Sequence, residues 1–466
     1  MLLRSDLPSD LFEDLDFAVF GLGDSSYEKF CWPAKLLARR LVSLGANEVC
    51  ERGEGDEQHH LGIDGALISW LEKLSTSLLE LFPLPSGVEV SLDGNSLPPP
   101  RVSMVPEVDA SPNETNLFPP EYHFATLISN ERTTSQDWYQ DVRHIEFEFD
   151  QDISYEPGDV AVIHPEVGAA EVDSFIIDLG YANDADTLFR IQHTQPDQSL
   201  PDHMPTTLTL RQLFTRFLDI TAIPRRSFFS YLRHFATNDL ETEKIEEFLS
   251  EEGADDLYEY TTLVHRTIRE VIADFRSVRI PKEYFFDVFP PLRPREFSIA
   301  CSNLEHRRRI QLCVAIVQYR TKLKLPRMGV TTTYLASLSP GTRIMVGIKP
   351  GGLIRLPNDP STPIICVGPG TGIAPIRSVL EQRIFQGSTE NTLYQGCRSA
   401  QSDHHYKDQF EDYAKKDAMT YRVAFSRDGP PGEKRIYVQD MISQDSKRVS
   451  ELLYEKDAWV IISGYA

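Results

Sequence analysis

Residues 364–377 read IICVGPGTGIAPIR, a β-branched run that breaks into three alternating glycines, Gly368, Gly370 and Gly372, ahead of Ala374 and Pro375. The apolar run suits a central parallel strand. Glycine has no Cβ, so the backbone can come close to a bulky anion there. Pro375 fits a first helical turn, whose free amides would face that anion. The chemistry on offer is phosphate binding. A plain strand-to-helix turn uses the same letters, so the rest of the chain has to decide.

Four further stretches carry chemistry-bearing residues. AFSRDGPPGEKRIYVQ, residues 424–439, places Arg427, Lys434 and Arg435 near a strand end with Tyr437 close by. An arginine fork grips a phosphate dianion and a ring covers an adenine, which argues for the 2′-phosphate that separates NADPH from NADH; a solvated basic turn is the alternative. No acidic residue stands where a free ribose diol would be held. RPREFSIACS, residues 293–302, puts Arg295 and Phe297 on one face of an edge strand, with Ser298 adjacent. That set suits an isoalloxazine ring and its pyrophosphate, or an ordinary edge strand with a core Phe. MGVTTTYLASL, residues 328–338, starts a helical pattern with Gly329 and three threonines, either an anion site or simple N-capping. GLGDSSYEKF, residues 21–30, follows the strand DFAVF, at the strand end where parallel sheets bind ligands, and Tyr27 could lie against a flat aromatic. The alternative is a polar loop capping the next helix. In GEGDEQHH, residues 53–60, His59 and His60 read as solvent-exposed, because no third ligand has suitable spacing; no metal site is expected.

The elements that must position these loops fall into blocks. At about 150 residues per domain, a chain of 466 residues suggests three domains. Residues 1–80 show the strand–loop–helix grammar of an α/β domain. Residues 81–120 are proline-rich and read as a linker. Residues 121–357 alternate as antiparallel strands, interrupted by a helical insertion over about 170–290. Residues 358–466 alternate strand and helix as a doubly wound sheet, with the glycine loop after its first strand. The net charge of −23 argues against nucleic acid and anionic membranes, and would let a redox protein dock a partner by complementary charge. Six cysteines without a CxxC pair fit reduced thiols. No signal-peptide core and no bilayer-length apolar run are present. The expected compartment is the cytoplasm, with mitochondria as a second.

In order, GLGDSSY, REFSIA, GVTT, GPGTGIAPIR, GCR and SRD…YVQ resemble the diflavin reductases. GLGDSSYEKF, GDEQHHLGIDGAL, DVRHIEFEF, FSIA and VAIVQYRTKLKLPRMG are most similar to the NADPH-dependent diflavin oxidoreductases of cytosolic iron–sulfur protein assembly. The resemblance covers nearly the whole chain. It implies a partial flavodoxin-like domain for FMN, an FAD-binding β-barrel with a helical insertion, and a Rossmann-like NADPH-binding domain. The implied route runs from NADPH to FAD to FMN to an anamorsin-type iron–sulfur protein. Leu22, Gly23, Asp24, Ser25, Ser26, Tyr27, Glu28, Lys29, Phe30 and Cys31 match the loop along the FMN ring, with Glu57 in the second FMN loop. Arg295, Glu296, Phe297 and Ser298 match the FAD motif, with Arg295 on pyrophosphate and Ser298 near the flavin N5. His265, or its neighbour Arg266, falls near a further FAD position. Gly329, Val330, Thr331 and Thr332 match the FAD pyrophosphate loop. Gly368, Gly370, Thr371 and Gly372 match the NADPH pyrophosphate loop. Ser426, Arg427, Arg435, Ile436, Tyr437, Val438 and Gln439 match the 2′-phosphate and adenine site. Cys397 matches the cysteine beside the nicotinamide; without the resemblance it reads as a buried structural thiol.

Against the family pattern, the chain starts at what would be the helix after the second ring-contacting loop and stops at AWVIISGYA. Cys31 stands where Asn is usual. Both ends are therefore expected to be incomplete, and FMN, lacking its phosphate loop, is expected to be held poorly while the FAD module remains. A P450-, nitric-oxide- or sulfite-reductase type of the same superfamily, and a non-catalytic binding form, stand as alternatives.

Overall fold

The computed structural model describes residues 2, 4–59, 61–85, 96–107, 121–194, 199–201, 203–250, 252–321, 324–430, 432 and 434–464. His60 and residues 86–95 and 108–120 of the expected linker lie outside the described residues. The chain divides into two compact units, one of residues 1–99, 223–267 and 277–279, the other of residues 100–222, 268–276 and 280–466.

In the first unit, β1 (Asp16–Phe17) pairs in parallel with β3 (Asn47–Glu48), and β2 (Phe20–Gly23) pairs in parallel with β4 (Gly53–Asp56). Phe17, Ala38 and Ala46 form a small core against Phe12, Val19 and Leu41. Helix Trp32–Ser43 starts with a proline in its first turn, preceded by Cys31 in the left-handed region at φ 50. Asn tolerates that backbone better than most residues, which gives a physical reason for the Asn that the resemblance leads one to expect here. A helical segment of the same unit buries Phe229 and Phe248 edge to face, with ring centroids 5.6 Å apart.

The two largest sheets of the second unit, among the described residues, differ in kind. β6 (Tyr122–Arg132), β7 (Val142–Phe149), β8 (Val160–Ile163), β11 (Arg295–Ser298), β12 (Arg309–Ala315) and β15 (Arg343–Lys349) run antiparallel in the order β11-β8-β15-β6-β7-β12. The edges meet where Ile299 bridges Leu312 and the Ala300 N–H donates to the Gln311 carbonyl at 2.7 Å, closing a barrel. Strict alternation does the work: Ile145, Phe147 and Phe149 point inward with Leu127, Ile163, Ile310 and Leu312. Between β8 and β11 lie helices such as Ala169–Asp178 and Leu210–Arg216, the latter started by a Thr209/Gln212 capping box. Strands occur there as well: β9 (Leu188–His193) pairs with β10 (Thr207–Thr209) and with β5 (Val102–Pro106). β5 lies inside the stretch read as linker. Val102 and Met104 alternate into the core, and their partner strand is far away in sequence, so prolines on either side mask the pattern.

The last sheet is all parallel, in the order β18 (Thr420–Phe425), β17 (Asn391–Cys397), β16 (Ile364–Pro369), β19 (Trp459–Ile462). Helix Ile373–Phe385 follows β16 and buries Ile373, Ile376, Val379 and Leu380 with Ile364, Cys366 and Leu393.

Candidate functional site

Gly370, Thr371 and Gly372 form a 3₁₀ turn at the carboxyl end of β16. Gly370 has φ +55 and open space where a Cβ would be. Gly372 is glycine for a different reason: a Cβ there would lie 2.2 Å from the Ser463 carbonyl oxygen, just past β19. The loop is thus clamped by the neighbouring strand end, whose Ser463 N–H donates to the Val367 carbonyl at 3.0 Å.

Loops after β17 and β18 are locked together. The Ser426 N–H donates to the Cys397 carbonyl at 3.0 Å, and the Arg427 N–H to the Arg398 carbonyl at 2.8 Å. Cys397 is buried, and burial pushes its thiol far up, so it stays protonated. Arg435, Ile436, Tyr437 and Gln439 are exposed, while Val438 packs against the Ile365, Val367, Tyr394 and Leu452 cluster. Lys434, one of the three cations of this segment, is committed to Asp440 at 2.8 Å.

In the barrel, β11 places Arg295 opposite Ile163 and Ser298 opposite Val160. Arg295 donates to the carbonyls of Arg293 and Pro294, Glu296 pairs with Lys349 at 2.7 Å, and Phe297 packs on the barrel core. Before helix Val330–Ser337, the Gly329 N–H donates to the Val317 carbonyl, and a Cβ on Gly329 would meet Val317 Cβ at 2.8 Å. Thr332 Oγ1 accepts from Val317 N–H and donates to the Gly329 carbonyl, so it is spent on the turn. Thr331 Oγ1 is buried and has no hydrogen-bond partner among the described residues. Tyr319, on β13 (Gln318–Arg320) paired with β14 (Pro326–Met328), is an exposed ring beside this loop that the sequence reading did not single out.

In the first unit, the β2–β4 pairing brings both expected FMN loops together: the Glu57 N–H donates to the Gly23 carbonyl at 2.8 Å. The organising carboxylate is Asp56, which the sequence reading passed over. Its Oδ1 accepts from Ser25 N–H at 2.9 Å and Gln58 N–H at 3.0 Å, and its pKa is held down first by the Ser25 hydrogen bond. Asp24 accepts from Ser26 N–H at 2.8 Å. Leu22 and Tyr27 are 66% and 61% exposed, and Glu28 and Lys29 are exposed as well. Phe30 packs on Gly23, and the Cys31 side chain is buried beneath the loop near the Gly55 carbonyl. His265, also of this unit, has φ 51, and Arg266 stacks over the Tyr260 ring at 4.2 Å.

Residues 1–70 match the flavodoxin model, 119–334 the FAD binding domain model, and 366–466 the oxidoreductase NAD-binding domain model. The chain is 39% identical to the NADPH-dependent diflavin oxidoreductase 1 of Cryptococcus neoformans, over 99% of its own length and 80% of the relative's. It is 38% identical to the proteins of the same name from Xenopus laevis and Bos taurus, over 100% of its length and 80% of theirs.

The chain belongs to the NADPH-dependent diflavin oxidoreductase family. It is a flavoprotein oxidoreductase whose cofactors are FMN, FAD and NADPH. Two features of this diflavin oxidoreductase fit phosphate-bearing cofactors. The orphaned Thr331 hydroxyl sits in the first turn of a helix, and a glycine with positive φ and free space opens the dinucleotide loop. The FAD and NADPH modules are also joined by a buried polar network. Ser378 Oγ donates to the Cys301 carbonyl at 2.7 Å, and Glu381 accepts from Ser302 N–H at 2.6 Å and from Gln409 Nε2 at 3.2 Å. Burial alone would raise the Glu381 pKa, but His306, Arg377 and the Ser302 amide together hold it below the usual carboxylate range. Glu305, His306 and Glu381 bring ligand-type atoms within 4.8 Å of one another, with Glu381 already supplied by these donors.

Proposed function

We propose that this oxidoreductase passes electrons from NADPH through FAD and FMN to an anamorsin-type iron–sulfur protein of cytosolic cluster assembly. The near full-length likeness to diflavin oxidoreductases across three matched modules carries the reading. The net charge of −23 favours an acceptor with a basic docking face. Among the described residues no helix is long and apolar enough to cross a membrane, and the cytoplasm, with mitochondria second, is the proposed compartment. The proposed modules are residues 1–80, 121–357 with a helical insertion over about 170–290, and 358–466.

When bound, NADPH would supply a hydride to FAD, and the flavins would pass its two electrons on one at a time, with the proton released to solvent. The chain's own residues bind and orient. Arg427 and Arg435 grip the 2′-phosphate, and Tyr437 covers the adenine. Amides of Gly370, Thr371 and Gly372 cradle the pyrophosphate of NADPH. Cys397 would stand beside the nicotinamide as a neutral thiol, since burial keeps it from ionising. Ser298 Oγ would hold a proton for the flavin N5, and Phe297 would support the ring. Arg295 and Thr331 take the FAD pyrophosphate. Tyr27 stacks on FMN, in a loop held in shape by Asp56.

Purified protein given NADPH should reduce ferricyanide, which accepts electrons from FAD alone. It should then reduce a purified anamorsin-type protein faster than cytochrome c. Preference for cytochrome c would favour a P450-reductase type, and no ferricyanide reduction would leave a non-catalytic binding protein.

A further inference from the structure

We propose that Tyr139, in the loop between β6 and β7, is a positioning residue for recognition of the NADPH 2′-phosphate. This rests on the reading of Arg427 as a 2′-phosphate ligand. The guanidinium carbons of Arg398 and Arg427 lie 5.3 and 5.7 Å from the centroid of the Tyr139 ring, inside the range of cation–π attraction. Those two arginines leave adjacent strands, and their backbones are hydrogen-bonded to each other. Among the described residues neither guanidinium forms an ion pair. The neighbouring carboxylates are spent on amides: Asp428 accepts from Ala400 N–H, and Asp403 from Arg398 N–H and Ser399 N–H. The electron-rich ring of Tyr139 is the one group both cations approach among these contacts.

The loop that carries the ring is built. Arg132 Nη2 donates to the Trp138 carbonyl at 2.7 Å, and Thr134 Oγ1 donates to the Gln140 carbonyl at 2.8 Å. Arg398 Nη1 reaches Gln140 Oε1 at 3.3 Å, the Ser135 N–H donates to the Ser402 carbonyl, and Thr133 Oγ1 meets His405 Nδ1 at 3.1 Å. Tyr139 itself is 62% exposed, so its ring does little for the core. The barrel thereby holds the arginines ready before the phosphate arrives, lowering the ordering cost of binding.

The test is calorimetric titration of the whole protein with 2′,5′-ADP and with 5′-AMP. Tyr139→Leu should weaken 2′,5′-ADP about two- to fivefold and leave 5′-AMP unchanged, while Tyr139→Phe, which keeps the ring face, should bind like the parent. KM for NADPH should rise with kcat unchanged. Unaltered 2′,5′-ADP affinity in Tyr139→Leu, with Arg427→Leu strongly weakened, overturns the role of Tyr139 alone. Full 2′,5′-ADP affinity in Arg427→Leu overturns the reading of the site beneath it.

Discussion

Arg377 Nη1 donates to the carbonyl oxygen of Ala300 at 2.6 Å, so a buried cation on the helix after the glycine loop is tied to the chain two residues past Ser298. The same nitrogen reaches Gln311 Oε1 at 2.7 Å, and Nη2 lies 3.2 Å from Glu381 Oε1. One guanidinium thus ties the helix after the glycine loop to the chain just past β11. Both residues of the ion pair are almost fully buried, at 7% and 2% exposure. In that setting, a fixed geometry matters more than the Coulomb energy.

Arg377→Ala should therefore cost about 3–5 kcal/mol of stability, because it leaves Glu381 buried beside an empty space. Urea unfolding measures the loss. Stopped-flow reduction of FAD by NADPH should slow as well, and Arg377→Lys should recover only part of the rate, since a point charge cannot replace the fork. A midpoint unmoved in Arg377→Ala would show the network to be ornamental.

Thr331→Val separates folding from cofactor binding. Removing a buried hydroxyl that has no partner should leave the apoprotein as stable as the parent or slightly more so. FAD affinity should fall about ten- to a hundredfold, the value of one lost hydrogen bond to a charged group. Fluorescence of released flavin on dilution reads the second quantity, and thermal unfolding of apoprotein the first.

Gly372→Ala puts a methyl group against the Ser463 carbonyl. Overpacking of this kind costs about 1–3 kcal/mol and shifts the strand end away from the loop. NADP⁺ affinity and melting temperature should fall together, whereas Gly370→Ala, with open space but φ +55, should show only the backbone strain of a left-handed residue.

His405 gives the module junction an acid sensitivity. Burial pushes its pKa down to about 4, opposed by the Asp403 charge and aided by His404. An unfolded histidine titrates near 6.5, so below that pH the unfolded chain binds the proton first. The stabilisation is complete above pH 6.5 and is lost between pH 6.5 and about 4, to at most about 3 kcal/mol. Unfolding free energies at several pH values should fall less steeply over that window in His405→Gln than in the parent.

Local chemistry was legible early. Phosphate cradles need glycine, threonine and arginine within a few residues of a strand end, so GPGTGIAPIR, GVTT and SRD stand out as candidates. Asp56 did not. It stands beside Glu57, and only the parallel pairing of β2 with β4 decides which carboxylate receives the Ser25 and Gln58 amides. Val102–Pro106 was hidden because its partner strand, Leu188–His193, lies more than eighty residues away.

From the letters alone came the kinds of element and the loops proposed to face cofactors, because each of these depends on patterns a few residues long. Which polar groups meet across modules was settled by the folded chain. Arg377 finds Ala300, Tyr139 finds Arg398 and Arg427, and His405 finds Thr133 over separations that no local pattern encodes. Such pairings follow from barrel closure at Ile299 and Leu312 and from the packing of one helix, where buried donors must find acceptors or the fold pays their full desolvation.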